Sequence, residues 1–151
     1  MSDILFLLNP GSTSTKTALY RDDRCLFTET VRHPAEELQR CGSLNGQLPV
    51  RLAAVESALA RGLAANRLQP ADLTAIVGRG GLLRGVPSGT YRVSPAMLAD
   101  LSAARYGEHA SNLGAPIAAR LAEPLQIPAF IVDPPSVDEM APLARFTGTP
   151  R

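Results

Sequence analysis

Residues 9–16, NPGSTSTK, follow directly on the apolar run 4–8 and carry a turn glycine, four consecutive hydroxyls and a lysine. Hydroxyls and turn amides donate to phosphate oxygens, and Lys16 would supply counter-charge, so Asn9, Ser12, Ser14 and Lys16 suit a phosphate-binding loop. A Ser/Thr-rich turn that satisfies only its own backbone is the plainer reading of the same residues. A P-loop is not met, because Gly11 to Lys16 is one residue too short and no glycine precedes the lysine. The residues after Lys16 also read as strands rather than a helix, which puts the segment at the tip of a hairpin.

Three more positions carry potential chemistry. Arg79 stands between Gly78 and Gly80-Gly81 at the end of an apolar run, where a guanidinium can meet a carboxylate in bidentate fashion. A solvated loop arginine fits that stretch too, and a dinucleotide fingerprint does not, since its third glycine would fall at Leu83. His109 precedes a helix start in 107–112, GEHASN, where developing negative charge would be stabilised; the bland alternative is a surface histidine in a capping loop. Asp133 ends an apolar strand ahead of Pro134 and Pro135, at the carboxyl edge of a sheet, where it could hold Mg²⁺, orient an attacking oxygen, or bond turn amides. No G-x-S-x-G elbow supports a Ser-His-Asp hydrolase. Cys25 and Cys41 lack C-x-x-C spacing, and His33 and His109 lie far apart, so no zinc template is present.

These residues need a frame. Apolar runs at 4–8, 17–20, 25–31, 73–77 and 127–132 read as five strands, the first buried on both faces. Residues 35–40 form a short polar helix. Leu52, Val55, Leu59 and Leu63 define an apolar helix face, Ser94-Pro95 starts a helix over 96–104, and Ser111-Asn112 caps a last one carrying Leu113, Ile117, Leu121 and Leu125. Residues 41–49 read as loose, 82–93 as an irregular hairpin, and 137–140 as a partly exposed helix or turn. The order specifies a mixed α/β layer with helices packed on a sheet.

At 151 residues the chain is one domain's length, and 45% hydrophobic with 19% charged residues marks it as folded. Fifteen basic against 14 acidic residues leave a net charge of +1, which provides no global field for nucleic acid or a membrane surface. The 4–8 run is too short to span a bilayer and follows Asp3 rather than a basic cluster, so a cytoplasmic location is expected.

Taken together, 9–16 (NPGSTSTK), 77–83 (VGRGGLL), 107–114 (GEHASNLG), 130–134 (FIVDP) and 137–140 (VDEM) resemble the butyrate kinase branch of the acetate and butyrate kinase family. That family belongs to the acetate kinase, sugar kinase, Hsp70 and actin superfamily. The resemblance covers essentially the whole chain and implies an actin-like, ribonuclease H-like mixed sheet of five strands, with helices on both faces. It implies phosphoryl transfer from ATP, with Mg²⁺, to a short-chain carboxylate. Asn9, Ser12, Ser14 and Lys16 match the family's phosphate-loop positions, Arg79 the carboxylate-holding arginine, His109 the histidine near the transferred phosphoryl, and Asp133 the catalytic aspartate, a direct or indirect Mg²⁺ ligand. Members have two similar lobes and dimerise. Residues 1–151 are therefore expected to be the amino-terminal lobe without the adenosine-binding lobe, acting as the phosphate and carboxylate half of a kinase or as a binding module without turnover.

Overall fold

The computed structural model of the chain describes residues 2–145, and the reading of the last residues as a lobe end lies outside them. The apolar run at 4–8 grows into β1 (Ile4–Pro10), which pairs antiparallel with β2 (Ser14–Arg21); β2 pairs antiparallel with β3 (Arg24–Arg32). On its other side β1 pairs parallel with β4 (Ala75–Arg79), and β4 pairs parallel with β6 (Ala129–Val132). Parallel neighbours need crossovers, which α2 (Leu48–Ala65) and α4 (Gly114–Ala122) supply. The short helices α1 (Ala35–Arg40) and α3 (Pro95–Ser102) complete the set, and Ser94 caps α3 by accepting from the Met97 amide as expected.

The sheet has six strands rather than five, in the order β3-β2-β1-β4-β6-β5. The addition is β5 (Thr90–Arg92), which lies antiparallel to β6 inside the stretch read as an irregular hairpin. Three residues show no period-two pattern, so only the available edge of β6 makes them a strand. Ser111 and Asn112 do not cap α4 with their side chains. Both are buried in a 3₁₀ turn, and Asn112 instead accepts from the Leu82 amide and donates to the Gly107 carbonyl, each at 2.8 Å. Residues 137–140 form neither helix nor turn; Val137 makes a parallel bridge with Val86.

Alternation along the strands decides the core. Ile4, Phe6 and Leu8 of β1, Leu19 of β2 and Ile76 of β4 are buried against Val55, Leu59 and Leu63 of α2 and Ile117 and Leu121 of α4. Fully burying a side chain such as Phe6 contributes roughly 1.5–3 kcal/mol. The two long helices lie on the same face and touch each other, whereas Leu5 and Leu7 on the opposite face stay partly exposed, so β1 is fully buried on one side only.

Two tight features tie this frame to the 9–16 loop and the glycine run. First, Arg51 of α2, with no exposed surface, donates from Nη1 to the Gly11 carbonyl (2.8 Å) and from Nη2 to the Ser12 carbonyl (2.7 Å). Its Nε donates to Gln47 Oε1 at 3.1 Å, and Nη1 also reaches Thr15 Oγ1 at 3.4 Å. Since Thr15 Oγ1 accepts there, its own hydrogen is available to His33 Nε2, 2.9 Å away. Second, α4 begins against the end of β4. A Cβ on Gly78 would sit 2.6 Å from the Gly114 carbonyl oxygen, and one on Gly114 would fall on the Arg79 carbonyl oxygen.

Two outcomes follow for stability. Gly114→Ala forces backbone apart and is expected to cost about 3 kcal/mol or more, the upper end for overpacking, in urea unfolding. Gly85→Ala, whose added Cβ meets nothing nearer than 3.8 Å, should stay within about 0.5 kcal/mol of the parent. Burial and then the Arg51 charge pull the His33 imidazole below its ordinary value, with Glu37 opposing. The unfolded chain therefore binds a proton that the folded one resists. Stability should be full above pH 6.5 and fall as the pH drops below it, and His33→Gln should flatten that fall in thermal melts at pH 7.5 and pH 5.

Candidate functional site

Strand register brings three of the sequence-derived residues side by side. Asn9 pairs with Lys16 across β1 and β2, Leu8 pairs with Gly78, and Arg79 pairs with Val132. One residue beyond the Leu8–Gly78 pair, Asn9 and Arg79 become neighbours. The row Lys16, Asn9, Arg79 thus projects from the sheet face opposite the helices, because it alternates with the buried Leu8. Directly below stand Leu7, Ala18 and Val77, and the two rows with Val132 line a cleft of about 310 Å³. An apolar floor with an amide, an ammonium and a guanidinium at one end suits a small amphiphilic anion. Lys16 and Arg79 are exposed and make no ion pair among the described residues.

Ser12 and His109 belong to a second, larger cleft of about 630 Å³ between the 11–13 turn, the α1 region and the start of the 110–113 turn. Its wall includes Thr13, Leu38, Gln47 and Glu108, with Arg51 beneath the turn. The His109 side chain caps that 3₁₀ turn, since the Ser111 amide donates to its Nδ1 at 3.2 Å and Ser111 Oγ lies 2.7 Å from the same nitrogen. A backbone N–H can only donate, so the neutral ring keeps its proton on Nε2. The capping and the functional readings of His109 are therefore compatible.

Ser14 lines neither cleft. It opens β2, and its carbonyl accepts from the Gly11 amide at 2.7 Å, which closes the turn. Asp133 sits just past Val132 in left-handed backbone (φ 40°), locked to Gly89 by two bonds: its amide donates to the Gly89 carbonyl at 3.1 Å, and its Oδ1 accepts from the Gly89 amide at 2.8 Å. That leaves Oδ2 without a donor among the described residues. Three of the segments, 77–83, 107–114 and 130–134, meet through glycine contacts, with Gly81 against Asn112 at 2.7 Å and Gly80 against Pro134 at 2.6 Å from their Cβ positions.

Arg51 was not singled out by sequence. The signal was present, because 51, 55, 59 and 63 recur every four residues and place a charge on the apolar stripe of α2. Asn112, read as a cap, is the buried link between the glycine run and the segment carrying His109.

Known proteins give this geometry a context. The chain is 51% identical over 148 residues to a probable butyrate kinase of Listeria welshimeri, covering 98% of this chain and 41% of that protein. It is 44% identical over 144 residues to butyrate kinase 1 of Clostridium acetobutylicum, covering 95% and 39%. Among solved structures, acetate kinase of Porphyromonas gingivalis superposes with a TM-score of 0.54 at 15% identity, over 86% of this chain and 37% of the other, which is a likeness of fold alone. No protein-family model matches the chain. The chain spans about two-fifths of the length of the curated relatives it matches. No described helix is long and apolar enough to cross a membrane. At about half identity over nearly all its residues, the chain is a relative of the butyrate kinases, similar in fold to an acetate kinase.

Proposed function

We propose that residues 1–151 are the amino-terminal lobe of a carboxylate kinase of the butyrate kinase type, which converts ATP and a short-chain fatty acid to ADP and an acyl phosphate. The observation that carries this reading is the row Lys16, Asn9, Arg79 over an apolar floor, in a chain whose relatives are named butyrate kinases. A carboxylate oxygen attacks the terminal phosphorus as the bond to the bridging oxygen of ADP breaks. The acid is already ionised, so no base is required and catalysis consists of positioning and charge stabilisation.

In this reading Arg79 holds the carboxylate in bidentate fashion, and the apolar floor beside it takes the alkyl chain. Asn9, Ser12 and Lys16 hold phosphate oxygens, while Ser14, which lines neither cleft, closes the turn through its carbonyl. His109 offers its Nε2–H to the transferred phosphoryl, whose charge spreads over the equatorial oxygens. Asp133 suits Mg²⁺, which keeps waters and phosphate oxygens as ligands and needs only one or two carboxylates, and its Oδ2 has no competing donor among the described residues. Mg²⁺ held by Asp133 would supply charge neutralisation of the phosphate oxygens. The exposure of Lys16, Arg79 and His109 favours a second reading, a module that binds phosphate or carboxylate without turnover, since nothing among the described residues excludes water from them.

Calorimetry of the purified chain against butyrate, inorganic phosphate and Mg-ATP tests the assignment. Lys16→Ala should weaken phosphate or ATP binding by at least ~10-fold, the size of a lost charged hydrogen bond, and Arg79→Ala should do the same to butyrate alone. Butyrate binding that ignores Arg79 would remove the carboxylate half of the reading. An ADP-release assay with short-chain acids separates the kinase from the binding module. In ¹⁵N spectra of the neutral ring, His109 should show the Nε2–H tautomer; the Nδ1–H tautomer would exclude its role as a donor from Nε2.

A further inference from the structure

Arg51 stands where a cation is least at home. Its side chain has no exposed surface, it lies in the first turns of α2 where the helix dipole is positive, and no carboxylate pairs with it among the described residues. Burial pulls its guanidinium below the ordinary value, yet arginine stays protonated in proteins. Only dipoles compensate the charge, and the two shortest of its bonds go to consecutive carbonyls of one turn, Gly11 and Ser12.

That pairing has a geometric consequence. A trans peptide unit is planar, so its N–H points opposite to its C=O, and the described chain contains no cis bond. The unit carrying the Gly11 carbonyl also carries the Ser12 N–H, and the unit carrying the Ser12 carbonyl also carries the Thr13 N–H. With both carbonyls drawn inward to Arg51, both N–H groups face outward from exposed residues that line the larger cleft. Neither amide has an acceptor among the described residues. Successive outward amides make an anion-binding concavity.

We propose that Arg51 is the positioning residue of the 9–16 loop: it clamps the Gly11 and Ser12 carbonyls and so aims the Ser12 and Thr13 amides at an oxyanion of the phosphate class. The inference rests on the phosphate reading of this loop. Arg51 does not touch the ligand. It acts through the turn, while the Gly11 amide to Ser14 carbonyl bond (2.7 Å) and the His33 amide to Thr13 carbonyl bond (2.9 Å) hold the turn's two sides. Lysine would be a poor substitute, since an ammonium lacks the planar fork that spans two carbonyls and Gln47 at once.

The test uses ¹⁵N spectra of the folded chain titrated with inorganic phosphate. In the parent, the Ser12 and Thr13 amides should move most. Arg51→Lys should weaken phosphate binding by at least ~10-fold and Arg51→Met further, the scale of losing charged hydrogen bonds. Gln47→Leu, at a partly exposed site that only orients the guanidinium, should weaken it several-fold and serves if the Arg51 variants do not fold. Without ligand, amide exchange in these variants should rise at Gly11 and His33 but not at Phe6 or Ile76, whereas a merely structural role would raise it throughout. Unchanged phosphate affinity in Arg51→Lys, or exchange rising equally everywhere, overturns the proposal. A parent whose Ser12 and Thr13 amides ignore phosphate removes the phosphate reading itself, and the positioning role with it.

Discussion

A buried guanidinium compensated by backbone carbonyls is the interaction on which the arrangement of this chain's loops depends. An ion as well buried as Arg51 would cost several kcal/mol if unpaired. Its donors are instead satisfied by Gly11, Ser12, Gln47 and Thr15, which belong to the turn after β1, the approach to α2 and the start of β2. Removing any of these partners strands part of the charge, so the helix, the turn and the strand fix one another. His33 joins the same network from the end of β3, where burial and then the neighbouring guanidinium disfavour its charged form.

The second constraint is the absence of side chains at the end of β4. Gly78 and Gly114 let the first turn of α4 rest on the strand, Gly81 admits Asn112, and Gly80 admits Pro134. These contacts draw together segments separated by tens of residues and fix where Arg79 can point. Glycine here serves backbone packing rather than the approach of a ligand. The glycine run around Arg79 is filled by the chain itself, and the open cleft lies on the sheet face beside it.

The electrostatics follow from that geometry. The chain is nearly neutral overall, yet Lys16 and Arg79 share one row with Asn9, and two outward amides lie on the adjoining turn. Anion affinity of this kind is local, arising from oriented donors rather than net charge. The row and the turn border different clefts on two sides of the same hairpin tip. Lys16, Asn9 and Arg79 of the first cleft and Ser12, Thr13 and His109 of the second are exposed.

What the sequence by itself determined is local or periodic. The apolar runs specified five strands, the stripe on α2 named its core residues, and glycine and hydroxyl spacing marked the hairpin loop. Each of these depends on neighbours within a few residues. The three-residue β5 was not legible, because a strand that short exists only through the edge of β6. Arg51 was visible as a charge on an apolar stripe, but apart from Gln47 its partners lie 36 to 40 residues away, and nothing local names them. The tertiary structure alone decided that Lys16, Asn9 and Arg79 share a row while Ser12 and His109 share another cleft. Register between strands distant in sequence is set by which side chains fill the common core, and that is a property of the packed sheet and not of any segment of the chain.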